Sequence, residues 1–180
     1  MDRLRPLRPD DAAAALAVLI DAVQSQAVGF YDGAQIQAWC EHARTHADLS
    51  AALARGSGWA SVDPAAGGPE SLEAFALRDP ADRLSLLYCR GRSCQQGRAS
   101  ALLAAVEQDA AAEGVRCLRT EASQLSRPLL ERRGWTVEAA EVVVLAGVEF
   151  ERWRMLKPLK SLPLAIPTLN NGGGPGGDDG

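Results

Sequence analysis

The chain has 180 residues, with 19 Lys and Arg against 23 Asp and Glu, enough length to bury a substantial core in one domain. A net charge of −4 argues against nucleic acid or an anionic membrane as a main partner. No apolar run approaches the roughly 18 residues of a spanning helix, and MDRLRPLRPDDAA carries no hydrophobic signal core, so a cytoplasmic protein is expected.

RLRPLRPDDAAAALAVLIDAV predicts a short strand followed by a helix, with Asp10 and Asp11 at its first turn and Leu16, Val18, Leu19, Ile20 and Val23 on its buried face. DGAQIQAWCEHARTHADLSAALARG predicts one or two further helices, with Ile36, Trp39 and Cys40 on one side. The period then changes. Trp59 to Val62, Leu72 to Leu77 and Leu84 to Cys89 read as three strands separated by the turns DPAAGGP and RDPAD, an antiparallel meander. From Ser100 the pattern is helical, with Leu102, Leu103, Val106 and Ala110 on one face and Gly114 as the stop. VRCLRTEAS predicts a strand and SRPLLERRGW a short helix with Pro128 in its first turn. VEAAEVVVLAGVEFERWRMLKPL closes as a hairpin around Ala146-Gly147. The expected fold class is mixed α/β, with one domain over 1–159 and a Gly/Pro-rich tail, 160–180, expected to be disordered.

CRGRSCQQGRAS joins the third of these strands to the alanine-rich helix. Amides at a helix mouth are unpaired and sit at the positive end of the dipole, so the loop is a candidate anion site. Gly97 and Ala99 leave room for close approach, and Arg90, Arg92 and Arg98 could fork onto phosphate oxygens. A solvated surface loop is the alternative. The loop matches neither GxxxxGK[ST] nor GxGxxG.

Cys94-Gln95-Gln96-Gly97-Arg98-Ala99 resembles the Q/R-x-x-G-x-G/A signature by which GNAT-superfamily N-acetyltransferases hold the pyrophosphate of acetyl-CoA. SRPLLERRGW is similar to their second signature, A-x-x-F-Y-E-K-x-G-F, with Glu131, Arg132 and Gly134 in register. FYDGAQIQAW, TEAS and GVEFERWRMLKPL resemble one bacterial branch, and the likeness runs from Arg3 to Leu159, strongest from Leu84 to Trp135. It implies a GNAT-like, mostly antiparallel, splayed sheet flanked by helices. Two positions depart from the pattern: Cys94 replaces the leading Gln or Arg, and Leu130 replaces a Tyr that protonates the departing thiolate in many members.

The resemblance implies acetyl-CoA as cosubstrate and a small-molecule or amino-acid-like amine as acceptor, attacking directly. A catalytically degenerate CoA-binding or protein-interaction module of the same fold is the alternative, and a homodimer is compatible with both. The loop from Cys94 to Ala99 with Ser100 would take the pyrophosphate, and Leu87, Tyr88 and Cys89 the pantetheine and thioester, with Ser126 near the thiol. Glu121 is the candidate base, against a structural carboxylate paired with Arg119 or Arg127, and Tyr31 is a second candidate as base or acceptor contact. Specificity should come from the helices between Val28 and Arg55 and the hairpin around Gly147. Cys94 could have a lowered pKa beside the arginines, although chance replacement is the plainer reading. His42 and His46 are four apart in HARTH but lack a third ligand, so no metal is expected.

Overall fold

A computed structural model describes residues 3–45, 49–64 and 71–160. The tail beyond Lys160, most of the DPAAGGP turn and His46 lie outside the described residues. The elements are β1 (Arg3–Pro6), α1 (Ala12–Gln26), α2 (Gly33–Thr45), α3 (Leu49–Arg55), β2 (Ser57–Val62), β3 (Leu72–Arg78) and β4 (Leu84–Cys89). They continue as α4 (Arg98–Ala112), β5 (Cys117–Ala122), α5 (Arg127–Arg132), β6 (Thr136–Leu145) and β7 (Val148–Pro158). The segment after α1 thus forms two helices, and α4 begins two residues before the expected Ser100.

The strands form two antiparallel sheets, β1-β2-β3-β4 and β5-β7-β6. This is the mixed α/β, mostly antiparallel, splayed arrangement that the sequence resemblance implied. Among the described residues no helix is long and apolar enough to cross a membrane.

Strand alternation assigns the two faces of the layer. Leu87 and Cys89 of β4 pack with Leu102, Leu103 and Val106 of α4 and with Leu118, Ala122 and Met155. Leu86 and Tyr88 instead face Val18 of α1 and Phe75. A third cluster joins α1 and α2 to the second sheet through Leu19, Tyr31, Cys40 and Phe150. Every residue of β3 is buried, as expected for a strand covered on both faces.

Glycine is required at particular turns. Gly114 has φ +82°, and its N–H bonds Ala111 O while the Val115 N–H reaches Ala110 O, closing α4. Ala146 and Gly147 both lie at positive φ, 47° and 79°, the geometry of a two-residue hairpin turn.

Polar ties fix α4 to its surroundings. Trp59 Nε1 donates to Asp109 at 2.6 Å, and Trp135 Nε1 and Lys157 Nζ both bond Glu107, at 2.9 and 2.6 Å. Arg78, only 1% exposed, donates to Glu113 Oε1 at 2.6 Å and to Ala81 O at 2.6 Å.

Glu73, fully buried on β3, is the other polar centre. It accepts from Ser93 Oγ at 2.6 Å, Ser71 Oγ at 2.9 Å and Arg92 Nε at 3.0 Å. Burial alone would raise its pKa, but the Arg92 and serine hydrogen bonds outweigh it and hold the pKa at about 2. A lowered native pKa stabilises the fold above the unfolded carboxylate range, and that stability is lost as pH falls toward 2. Glu73→Gln should therefore lower the melting temperature by about 3–10 °C at neutral pH. The difference from the parent should shrink in thermal scans as the buffer is taken from pH 5 toward pH 2. A constant difference across that range would show that ionisation of Glu73 contributes nothing.

Candidate active site

β4 and β5 are neighbours without a shared ladder. They meet at one end, where the Arg119 N–H donates to Asp82 O at 2.9 Å and Thr120 Oγ1 to Leu84 O at 2.7 Å. Arg83 clamps the same end, its Nε and Nη2 donating to Glu121 Oε2 at 2.8 and 2.6 Å. Past this point β4 is the edge of one sheet and β5 the edge of the other. The space between them is a cleft of ≈ 880 Å³, reaching from Gly97 and Ala99 past Leu87 to Thr120, Ser126 and Leu130. That volume suits a sizeable organic ligand.

The loop after β4 forms one end of the cleft. Gln95 and Gly97 take left-handed conformations, φ 59° and 81°, which turn the chain sharply into α4. No side chain caps that helix, and the Ala99 and Ser100 N–H groups have no partner among the described residues. A Cβ built at Gly97 meets nothing within 4 Å, so the space above the backbone is open. Unpaired amides around open space at a helix N-terminus suit a phosphate-type anion.

The expectation that the arginines fork onto the anion is corrected by their partners. Arg98, 4% exposed, turns inward to Ser61 Oγ at 3.0 Å and Asp63 Oδ2 at 3.1 Å. Arg92 is engaged by Glu73, and Arg90 Nε donates to Leu72 O at 3.0 Å. Each has an acceptor within the protein, and for Arg92 that acceptor is the Glu73 carboxylate, which must be neutralised where it is buried. The arginines anchor the loop, and the amides face the cleft.

Cys94 is half-buried and its thiol donates to Arg90 O at 3.2 Å. Burial raises its pKa, which corrects the idea of an activated thiolate. Cys89 lies beside it, with its thiol pushed up to about 12 by burial and by Cys94. The Cys89 carbonyl accepts from Gln26 Nε2 at 2.6 Å, tying α1 to the strand end. Gln95 lines the cleft, whereas the Gln96 side chain turns back to Arg92 O at 3.1 Å and does not.

Ser126 also lines the cleft. Its Oγ accepts from the Ser123 N–H at 3.0 Å, and the Ser126 N–H bonds Ser123 Oγ at 3.2 Å, a reciprocal pair that starts α5. Leu130, 1% exposed, belongs both to the core and to the cleft wall.

A second cavity of ≈ 240 Å³ opens on the α1/α2 side. Trp39, Ser85, Leu86, Tyr88, Glu121 and Ser123 line both spaces, so the two meet there. Tyr31, 7% exposed, packs against Trp39 and Phe150 at centroid distances of 5.4 and 5.9 Å. Its hydroxyl accepts from the Gln124 N–H at 3.1 Å, and burial raises its pKa. Tyr88 leans on Phe75 at 5.9 Å, and burial pushes its pKa up to about 12. Neither phenol is poised to lose a proton near neutral pH.

Glu121 stands at the junction. Its partner is Arg83, not Arg119, which pairs with Asp82 at 3.0 Å, nor Arg127, which pairs with Glu131 at 2.7 Å. Both Arg83 hydrogen bonds converge on Oε2, and Oε1 has no partner among the described residues. Sequence reasoning missed Arg83, which lies in the RDPADR turn where nothing in the periodicity singles it out. It also missed Gln26, an unremarkable last residue of α1.

No protein-family model matches the sequence, and no curated protein does either. Solved structures do match. The GCN5-related N-acetyltransferase of Rhodopseudomonas palustris superposes with a TM-score of 0.80 at 23% identity, over 88% of this chain and 96% of that one. The chain has the GCN5-related N-acetyltransferase (GNAT) fold. The PaiA N-acetyltransferase of Thermoplasma acidophilum, in complex with coenzyme A, matches at TM-score 0.68 and 16% identity, over 88% of this chain and 99% of that one. A GNAT-family acetyltransferase of Streptococcus pneumoniae matches at 0.58 and 15%, over 88% and 100%. Identities this low establish shared architecture, with the separated β4 and β5 of this chain set inside it.

The packing of the loop onto α1 is testable without a ligand. A Cβ at Gly91 would lie 2.4 Å from Ser25 Oγ and 2.6 Å from Ser25 Cβ. Gly91→Ala should destabilise the protein by about 1–3 kcal/mol in urea titrations. Adding Ser25→Gly should recover part of that loss, and simple additivity of the two changes would exclude the contact as its cause.

Proposed function

We propose that the chain is an acetyl-CoA-dependent N-acetyltransferase that acts on the primary amine of a small molecule or amino-acid-like acceptor by direct attack. The observation carrying this reading is the continuity of the cleft. It runs from uncapped amides at the α4 mouth, along the free edge of β4, to Glu121, and there meets a separate cavity. The first part suits a long anionic donor and the second a compact acceptor.

Acetyl-CoA, when bound, supplies the acyl group. The Ala99 and Ser100 amides with the turn at Gly97 would hold its pyrophosphate. The edge of β4 from Leu87 to Cys89 would pair with its pantetheine amides and present an N–H to the thioester oxygen, where charge develops during attack. Glu121 Oε1 would take the proton from the acceptor ammonium, while Arg83 on Oε2 keeps the carboxylate in place. Tyr31 would serve as acceptor-side wall and as anchor for the Gln124 amide rather than as a base. With Leu130 in the cleft wall, no phenol protonates the thiolate there, and the leaving group departs as the anion and takes its proton from solvent water. Leu130 is also the observation that favours the alternative, a CoA-binding or interaction module without catalysis.

Isothermal titration should show acetyl-CoA binding in the micromolar range. Gly97→Val, which puts a branched side chain into open space at φ +81°, should abolish that binding. Unchanged affinity in this variant would refute the anion site, and no binding by the parent would remove the CoA reading altogether. Thiol release with a panel of amines then separates enzyme from binder. Glu121→Gln should lower kcat by about 10²–10⁴ with little change in acetyl-CoA affinity, and full activity in that variant would remove Glu121 as the base.

A further inference from the structure

The second cavity carries information about the acceptor. β5 pairs with β7 in a register that sets Glu121 opposite Arg154, and Arg152 lies two residues along β7 on the same face. Phe150 follows two residues further, and Val143 stands opposite it on β6. One face of the second sheet therefore presents, in order, a carboxylate, a guanidinium and an apolar surface. Glu121 lines both cavities, whereas Arg152 and Phe150 line only the inner one.

Arg152 is held from behind. Its Nε donates to Glu141 Oε1, and the two residues face each other across the β6–β7 ladder. Its terminal nitrogens make no bond among the described residues, and neither does Nη1 of Arg83. Each guanidinium is thus fixed by one carboxylate while keeping N–H donors for a ligand. A fixed fork of this kind fits a carboxylate.

We infer that the acceptor is zwitterionic: an apolar amino acid whose ammonium sits at Glu121 and whose carboxylate is received by Arg152, with Arg83 adding a donor. This rests on the acetyltransferase reading above and narrows it. Glu121 and Arg152 are diagonal neighbours across the β5–β7 ladder, about 7–8 Å apart, which leaves room for an ammonium and a carboxylate one carbon apart with a hydrogen bond at each end. The apolar side chain packs against Trp39, Phe150 and Val143. A cavity of ≈ 240 Å³ is smaller than the about 300 Å³ at which drug-sized pockets begin, so it suits a single amino acid better than a peptide. The amine then meets the thioester where the two cavities join.

Matched ligands test this. Binding of L-phenylalanine, L-leucine and L-methionine to the protein is compared by calorimetry with binding of 2-phenylethylamine, 3-methylbutylamine and 3-(methylthio)propylamine, which lack the carboxylate. The same compounds are then offered as acceptors with acetyl-CoA, following thiol release. At least one of the amino acids should bind and react about 10- to 100-fold better than its decarboxylated partner, as expected for one charge-assisted hydrogen-bonded pair. Arg152→Gln should raise KM for the amino acid and leave the amine and acetyl-CoA unchanged, and Arg152→Lys should restore part of the preference. Equal treatment of amino acid and amine by the parent protein, or binding of neither, overturns the inference whatever the variants do. Failure of acetyl-CoA to bind while amino acids still do would instead overturn the function proposed above, so the two outcomes are distinguishable.

Discussion

The structure depends on a sheet that is joined at one end and open at the other. The Asp82–Arg119 and Leu84–Thr120 contacts bring β4 and β5 together, and Arg83 on Glu121 clamps the same place. A complete ladder would satisfy every edge amide and leave no cleft. A gap along the whole length would leave two sheets with little to register them. The partial join gives a rigid origin from which the opening can be measured out by the helices on either side. α4 is tied by Glu107, Asp109 and Glu113 on one face, and α1 by Gln26 and Asp21 on the other.

Charge is used in this fold chiefly for construction. A phosphate-type site at a helix mouth invites the idea that nearby arginines bind the ligand, yet Arg90, Arg92 and Arg98 are all engaged within the protein. For Arg92 the reason is the carboxylate of Glu73, fully buried on a strand covered on both faces. An ionised acid in that position must be matched, and the loop supplies the match through Arg92 and Ser93. The same interaction that neutralises the core therefore fixes the loop whose amides face the cleft. Backbone donors held in this way need no rearrangement to receive an anion.

Much of the architecture could be read from the chain. The short apolar run from Leu84 to Cys89 marks a strand packed on both faces, the stripe of Leu102, Leu103, Val106 and Ala110 marks a helix buried on one side, and glycines at positive φ mark where elements end. The antiparallel pairing of the first sheet followed from closely spaced strands and short turns, whereas the splay came from the signature-like loop and its context. The partners of the site residues were not legible. Glu121 stood out as a strand-end acid, but its guanidinium comes from a turn 38 positions earlier. Such pairings are set by how the two sheets meet, which local pattern does not encode. The inward turn of Arg98 was hidden for the same reason, since its partners Ser61 and Asp63 belong to a different strand and the loop after it.

The two cavities share only a narrow wall, and that arrangement divides the labour of change. The donor side is built from β4, α4, α5 and the last turns of α1, and most of the acceptor side from α2 and the β6–β7 hairpin. Substitutions at Val143 or Phe150 reshape one chamber and leave the loop at Gly97 untouched. Glu121 and its Arg83 clamp are the exception, because they belong to both chambers and also set where the strands part. Drift in acceptor preference is therefore open along the hairpin and the second helix, and closed at the hinge of the sheet, where losing the Arg83 clamp altogether would reach both chambers and the fold at once.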